Sequence, residues 1–122
     1  MDALLGALSL GDIGKYFPPS DPEYKNADSI ELLRKVLKLV EAEGYKINNI
    51  DSVIQAEKPK LSGYIFLIKE KLAKSLNIEP DQISVKATTM EGMGPIGEEK
   101  AIAAHSVVLL EKNFCIKTKN KK

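Results

Sequence analysis

The sequence predicts an α+β domain in which helices cover one face of a small sheet, and three observations carry that reading. Behind Asp28-x-x-Glu31, which resembles a capping box, Leu33, Val36, Leu37 and Val40 recur at i, i+3, i+4 and i+7, and Gly44 sits where a helix C′ residue belongs. Ile83, Val85 and Ala87 alternate with Ser84, Lys86 and Thr88, the pattern of a half-buried strand. The apolar run from Ala101 to Leu110 reads as a further, mostly buried strand.

The remaining elements fall around these. Residues 2–10, Asp2-Ala-Leu-Leu-Gly-Ala-Leu-Ser-Leu10, are helix-like and open without an N-terminal cap, as the second half of a helix would. Leu4, Leu5, Leu8 and Leu10 there read as core. Gly11–Asp21 is a connecting loop in which Pro18, Pro19 and Pro22 exclude regular structure and stiffen the backbone. A strand is expected from about Ile50 to Ala56, broken at Lys58-Pro59, and Tyr64, Ile65, Ile68, Leu72 and Leu76 mark a second amphipathic helix. The order is helix, helix, strand, helix, strand, strand. Only three strands are visible, and a helical first segment cannot supply a fourth. Residues 1–111 read as one domain, and 112–122, with Lys117, Lys119, Lys121 and Lys122, as a lysine-rich, solvated tail.

Composition narrows the function classes. A chain of 122 residues suits one domain with a real core, and 43% hydrophobic with 29% charged residues reads as soluble and globular. A net charge of +1 argues against a nucleic-acid partner. Of 18 basic residues only Arg34 is arginine, a skew that reads as compositional bias and discourages assigning roles to single lysines. The single cysteine, Cys115, excludes an intrachain disulfide, fits a reducing compartment and lacks the neighbours of a nucleophile. No apolar run approaches the roughly 18 to 20 residues that span a membrane, and no secretory leader pattern opens the chain.

Three irregular segments carry the candidate chemistry. In Lys86-Ala-Thr-Thr-Met-Glu91, two hydroxyls and a carboxylate arrive where a strand gives way to the Gly92–Gly97 loop. Thr88, Thr89 and the loop N–H groups can donate to diphosphate oxygens, and Glu91 can hold Mg²⁺ against them. The plain alternative is β-branched residues in a strand. In Gly11–Asp21, Asp12 and Asp21 can accept from polyol hydroxyls and Gly14 permits close approach of a ligand; the alternative is a rigid connection with Asp21 making a turn. In Ala56-Glu-Lys-Pro-Lys-Leu-Ser62, backbone groups can read a base edge with Lys60 facing a phosphate, or the segment is an ordinary strand-to-helix turn. His105 lies mid-strand without a ligand partner at useful spacing and reads as structural.

In this order the three segments resemble the 2-C-methyl-D-erythritol 2,4-cyclodiphosphate synthase family of non-mevalonate isoprenoid biosynthesis. The resemblance runs from Asp2-Ala-Leu-Leu-Gly-Ala through Gly11-Asp-Ile-Gly, Phe17-Pro, Asp21-Pro, Ala27-Asp-Ser29, Asn49-Ile-Asp51, Pro59-Lys60 and Lys86-Ala-Thr-Thr-x-Glu91 to Leu110. Gly97-Glu-Glu-Lys-Ala-Ile-Ala-Ala-His-Ser-Val-Val-Leu-Leu110 looks closest to plant plastid forms, so a plastid-type organelle or a bacterial cytoplasm is implied. The family implies a ferredoxin-like fold, a homotrimer with sites between neighbours, zinc together with Mg²⁺ or Mn²⁺, no nucleic acid and no membrane. Its reaction cyclises 4-diphosphocytidyl-2-C-methyl-D-erythritol 2-phosphate and releases CMP. By resemblance, Asp12, Ile13 and Gly14 with Phe17, Pro18, Pro19, Ser20 and Asp21 would contact the methylerythritol. Ala56, Glu57, Lys58, Pro59, Lys60, Leu61 and Ser62 would hold the cytidine. Thr88, Thr89, Met90 and Glu91 would meet the diphosphate and Mg²⁺, with Thr89 assisting the transition state.

Three departures from the family pattern bear on activity. The N-terminal strand with its Asp-x-His pair, the later His-Ser pair and the zinc-ligand His one helical turn before Asp2 are absent from this chain, which is therefore expected to be inactive alone, with the first strand of the sheet missing. Pro19 replaces the usual Asp of Phe-Pro-Asp-x-Asp. Glu98 stands where many bacterial members carry a phosphate-binding Arg, and Lys100 is the nearby substitute, without the bidentate geometry of a guanidinium. The competing expectation is a non-catalytic ferredoxin-like module for nucleotide binding or assembly.

Overall fold

A computed structural model describes residues 1–24 and 27–114. Cys115 and the lysines of the tail lie outside the described residues. The chain divides into two compact units, Met1–Asn48 with Val108–Lys122, and Asn49–Val107.

In the first unit, α1 (Asp2–Ala7) packs on α3 (Ser29–Ala42). Leu4 and Leu5 of α1 are buried, as are Leu33, Val36 and Val40 of α3, while Leu8, Leu10 and Leu37 are half-buried. The apolar stripe at helical spacing is thus the inward face of α3. Burying each of the largest core side chains stabilises the unit by about 1.5–3 kcal/mol. The Asp28 carboxylate accepts from the Ile30 N–H at 3.0 Å and caps the helix start. At the other end Gly44 takes φ +83°, a left-handed conformation that glycine adopts without steric cost, and the chain turns directly into β1 (Tyr45–Gln55).

β1 therefore begins about five residues before the expected Ile50. Lys46-Ile-Asn-Asn49 has neither apolar alternation nor high strand propensity; pairing supplies what local sequence does not. Within this unit the Asn113 N–H donates to the Gly44 carbonyl at 2.8 Å, and the Asn48 side-chain amide donates to Glu111, which also pairs with Lys46 at 3.2 Å.

In the second unit, α4 (Ile65–Leu76) connects β1 to β2 (Ile83–Thr88), and the two strands pair in parallel from Ile50↔Ile83 to Gln55↔Thr88. Ala73 and Leu76 of α4 are buried with Ile50, Ile83 and Val85. Asn77, at φ +58°, ends α4 in the left-handed conformation asparagine tolerates. β3 (Ala103–Lys112) completes a sheet ordered β2-β1-β3.

Two expectations are corrected here. β3 is not mostly buried: Val107 is 74% and Leu109 58% exposed, and Ala104, His105 and Ser106 are exposed as well. An apolar run in an end strand of a three-stranded sheet need not be covered on both faces. His105 accordingly is a surface residue rather than a packed one. The loops also contain short helices, α2 (Ile13–Tyr16) between Gly11 and Asp21 and α5 (Gly94–Gly97) within Gly92–Gly97. Pro18 and Pro19 follow α2, and Pro95 stands in the first turn of α5, where a missing N–H costs nothing.

Candidate nucleotide-binding cleft

Parallel pairing brings β1 and β2 to an end on the same side, Gln55 opposite Thr88, and ligands of such sheets bind beyond the carboxyl ends of their strands. The segments that leave there, Ala56–Ser62 and Thr88–Glu91, are far apart in sequence and become neighbours. Ala56, Glu57, Lys60, Leu61, Ser62, Ala87, Thr88 and Thr89 line one open cleft of about 360 Å³. The ladder extends one bond past the strands: the Ala56 N–H donates to the Thr88 carbonyl at 3.1 Å. Ala56 is buried and Leu61 half-buried as the cleft floor, while Lys60, Ser62, Thr88 and Thr89 are exposed.

The loop after β2 is held from several sides. Glu57 Oε2 accepts from the Met90 N–H at 3.2 Å and Oε1 from the Gly92 N–H at 3.1 Å. Lys58, preceding a cis peptide bond to Pro59, pairs with Glu99 at 3.5 Å. Gly97 lies against Gly92 so closely that a Cβ there would stand 2.9 Å from the Gly92 Cα, so only glycine fits. Thr88 Oγ1 donates to the Thr89 carbonyl at 3.2 Å, and Thr89 Oγ1 accepts from the Glu91 N–H at 3.4 Å. The N–H groups of Met90, Glu91 and Gly92, expected to face a phosphate, here donate to Glu57 and Thr89. Glu91, exposed and at φ +52°, enters no ion pair among the described residues. Lys100 turns towards Glu98 at 3.7 Å.

The Gly11–Asp21 loop belongs to the first unit and is internally satisfied. Asp12 caps α2 by accepting from the Lys15 N–H at 3.1 Å, and Gly14 leaves room for that carboxylate, which a Cβ would approach to 3.3 Å. Asp21 accepts from the Glu23 N–H at 3.0 Å, making the turn. Asp2, not singled out in the sequence, accepts from the Ile13 N–H at 2.9 Å and ties α1 to α2. Phe17 and Pro18 are half-buried, Phe17 edge-on to Tyr24 at 5.2 Å, whereas Pro19 and Ser20 are exposed.

A second groove of the Asn49–Val107 unit, about 450 Å³, passes Asn49, Asp51, Lys69, Asp81, Ser84 and Lys86; its Lys86–Asp51 pair, at 2.9 Å, neutralises the charge across it. Among the described residues no three of His, Cys, Asp and Glu are grouped to hold a metal ion, and no helix is long and apolar enough to cross a membrane.

The fold is shared with known proteins. The YgbB family model matches residues 1–111. The chain belongs to the YgbB family. The 2-C-methyl-D-erythritol 2,4-cyclodiphosphate synthase of Prochlorococcus marinus (strain MIT 9215) is 61% identical over 112 residues, 92% of this chain and 68% of the relative. The bifunctional IspDF of Campylobacter jejuni superposes with a TM-score of 0.88 at 40% identity, over 91% of this chain and 30% of that one. The CDP complex of IspF from Plasmodium falciparum gives 0.79 at 38% identity, covering 91% and 66%. The chain therefore spans about two thirds of the curated relative's length. The family's likeness to solved synthases agrees with the α+β, ferredoxin-like class, here with three described strands. YgbB enzymes of this name are metal-dependent lyases of isoprenoid biosynthesis.

Proposed function

We propose that this chain is part of a 2-C-methyl-D-erythritol 2,4-cyclodiphosphate synthase, and that its 360 Å³ cleft takes the diphosphocytidyl end of 4-diphosphocytidyl-2-C-methyl-D-erythritol 2-phosphate. The observation that carries this is the meeting of Ala56–Ser62 with Thr88–Thr89 beyond the ends of two parallel strands. Cytidine would lie on Ala56 and Leu61, with Lys60 facing phosphate. The Thr88 and Thr89 hydroxyls would donate to the diphosphate, and Glu91 would hold Mg²⁺ or Mn²⁺ together with diphosphate oxygens. Asp12 to Gly14 and Phe17 to Asp21 remain the methylerythritol contacts of this reading, and Lys100 a secondary phosphate contact.

In the reaction the 2-phosphate attacks the β-phosphorus of the same molecule and CMP leaves. No side-chain nucleophile is required; the protein folds the substrate back and neutralises spreading charge. Thr89, which lines the cleft, would donate as that charge develops. A zinc ion would orient the phosphates, but the described residues form no ligand cluster for it, so no step of zinc chemistry follows from this chain. Exposed Val107 and Leu109 on β3 support the homotrimer of this reading, as uncovered apolar residues favour association. Cyanobacterial relatives support a plastid-type or bacterial cytoplasmic setting.

The test is calorimetry of the chain with CMP, and with CDP with and without Mg²⁺. Weak binding of both, strengthened by Mg²⁺ for CDP, is expected. A folded sample that binds neither at millimolar ligand overturns the assignment.

A further inference from the structure

We propose that Glu57 is a positioning residue, a carboxylate strut that fixes the loop after β2, holding Thr89 at the cleft it lines and Glu91 two residues on. This replaces the cytidine contact that the resemblance implies for Glu57: although the residue lines the cleft, both of its carboxylate oxygens are taken by the loop, so it contacts neither the base nor the phosphates. This rests on the nucleotide reading of the cleft. Each carboxylate oxygen accepts one backbone N–H, from Met90 at 3.2 Å and from Gly92 at 3.1 Å, and these flank Glu91. A carboxylate so placed holds two successive-but-one amides at a set spacing, and hydrogen bonds to a charged group are roughly twice as strong as neutral ones. Glu91 itself has φ +52°, a conformation disfavoured for a residue with a Cβ, so the surroundings must hold it there.

Two neighbouring contacts act in the same direction. Lys58 reaches Glu99 on the far side of the loop, and Gly92 is closed against Gly97. The loop is thus shaped before any ligand arrives, and the Met90 and Gly92 N–H groups are occupied. Diphosphate must then be met by the threonine hydroxyls and by a cation on Glu91. A strut of this kind acts on the metal–diphosphate part of the site and leaves the nucleoside part alone, which separates it from a cytidine contact and from an internal stand-in for phosphate.

The experiment compares the unaltered chain with Glu57→Ala and Glu57→Gln, by calorimetry with CMP and with Mg²⁺·CDP, and by hydrogen exchange of the Met90 and Gly92 amides without ligand. Glu57→Ala should weaken Mg²⁺·CDP by about tenfold, as expected for losing hydrogen bonds to a charged group. CMP affinity should change by less than about twofold, and both amides should exchange faster. Glu57→Gln, keeping one acceptor oxygen, should recover part of each loss. Equal weakening of CMP and Mg²⁺·CDP would make Glu57 a nucleoside contact and overturn the proposal; tighter Mg²⁺·CDP binding by Glu57→Ala would make it a displaced stand-in and do the same. If the unaltered chain binds neither nucleotide, the nucleotide reading fails by itself. The exchange measurement then decides the strut, and unchanged Met90 and Gly92 exchange in Glu57→Gln overturns it.

Discussion

The Gly11–Asp21 loop and the cleft between Ala56–Ser62 and Thr88–Glu91 look alike in sequence, each a glycine- or proline-bearing segment with carboxylates or hydroxyls. In the structure they differ. In the first, Asp2, Asp12 and Asp21 all accept from backbone N–H groups of the same unit. In the second, the Glu57 carboxylate is so occupied on both oxygens and Thr89 Oγ1 accepts from the Glu91 N–H, while Thr88, Thr89, Lys60 and Ser62 line an open cleft. A loop carboxylate close to a helix start is more favourably placed as a cap than as a ligand, because an uncapped helix leaves N–H groups without acceptors. Residue type alone does not tell the two uses apart; the position of the nearest unsatisfied backbone donor does.

Substitutions at four residues would break or sharpen that contrast. The largest effect on stability is expected from Leu5→Ala, since Leu5 is fully buried in the α1–α3 contact. A loss of about 2–5 kcal/mol, read by chemical denaturation, follows from the transfer and cavity costs of a buried leucine. Nucleotide affinity measured while the protein is folded should be retained, as the cleft is lined wholly by the other unit; its loss would show the two regions to be coupled.

Thr89→Ala, made in a form carrying the rest of the family's length, should lower kcat by about 100-fold with KM little changed. Steady-state kinetics check it, and an unchanged kcat with a raised KM would leave Thr89 a ground-state contact. Asp12→Ala should cost about 1 kcal/mol of stability through the lost α2 cap, and Asp12→Asn, which still caps, much less. If Asp12 also accepts from substrate hydroxyls, both variants should raise KM in that longer form; a KM change in the alanine variant alone would assign the residue wholly to the cap.

The smallest effect belongs to Glu111. Hydrogen bonds from Asn48 and Lys46 hold its carboxyl below the ordinary value of 4.5, so the ionised form favours the folded state. That contribution is complete above about pH 4.5 and is lost as the pH falls through the lowered folded value. Glu111→Gln should therefore melt slightly below the unaltered chain at neutral pH, and the gap should close on acidification. The pair is exposed, so added salt should shrink it as well.

Much of this molecule is determined by sequence at short range. The Leu33–Val40 stripe, the Asp28 cap and Gly44 specify α3 because period, capping and a left-handed turn agree. The alternation of Ile83 and Val85 specifies the buried face of β2, and the motifs around Thr88 and Pro59 pointed to the segments that line the cleft. Other features required the chain to fold. Lys46-Ile-Asn-Asn49 is a strand because it pairs, and the apolar run of β3 is exposed because it ends the sheet. Glu57 meets the loop 33 residues beyond it only because β1 and β2 run parallel and finish together. Propensity and periodicity act over a few residues, whereas register, edge position and the partner of a carboxylate depend on contacts that sequence spacing does not encode.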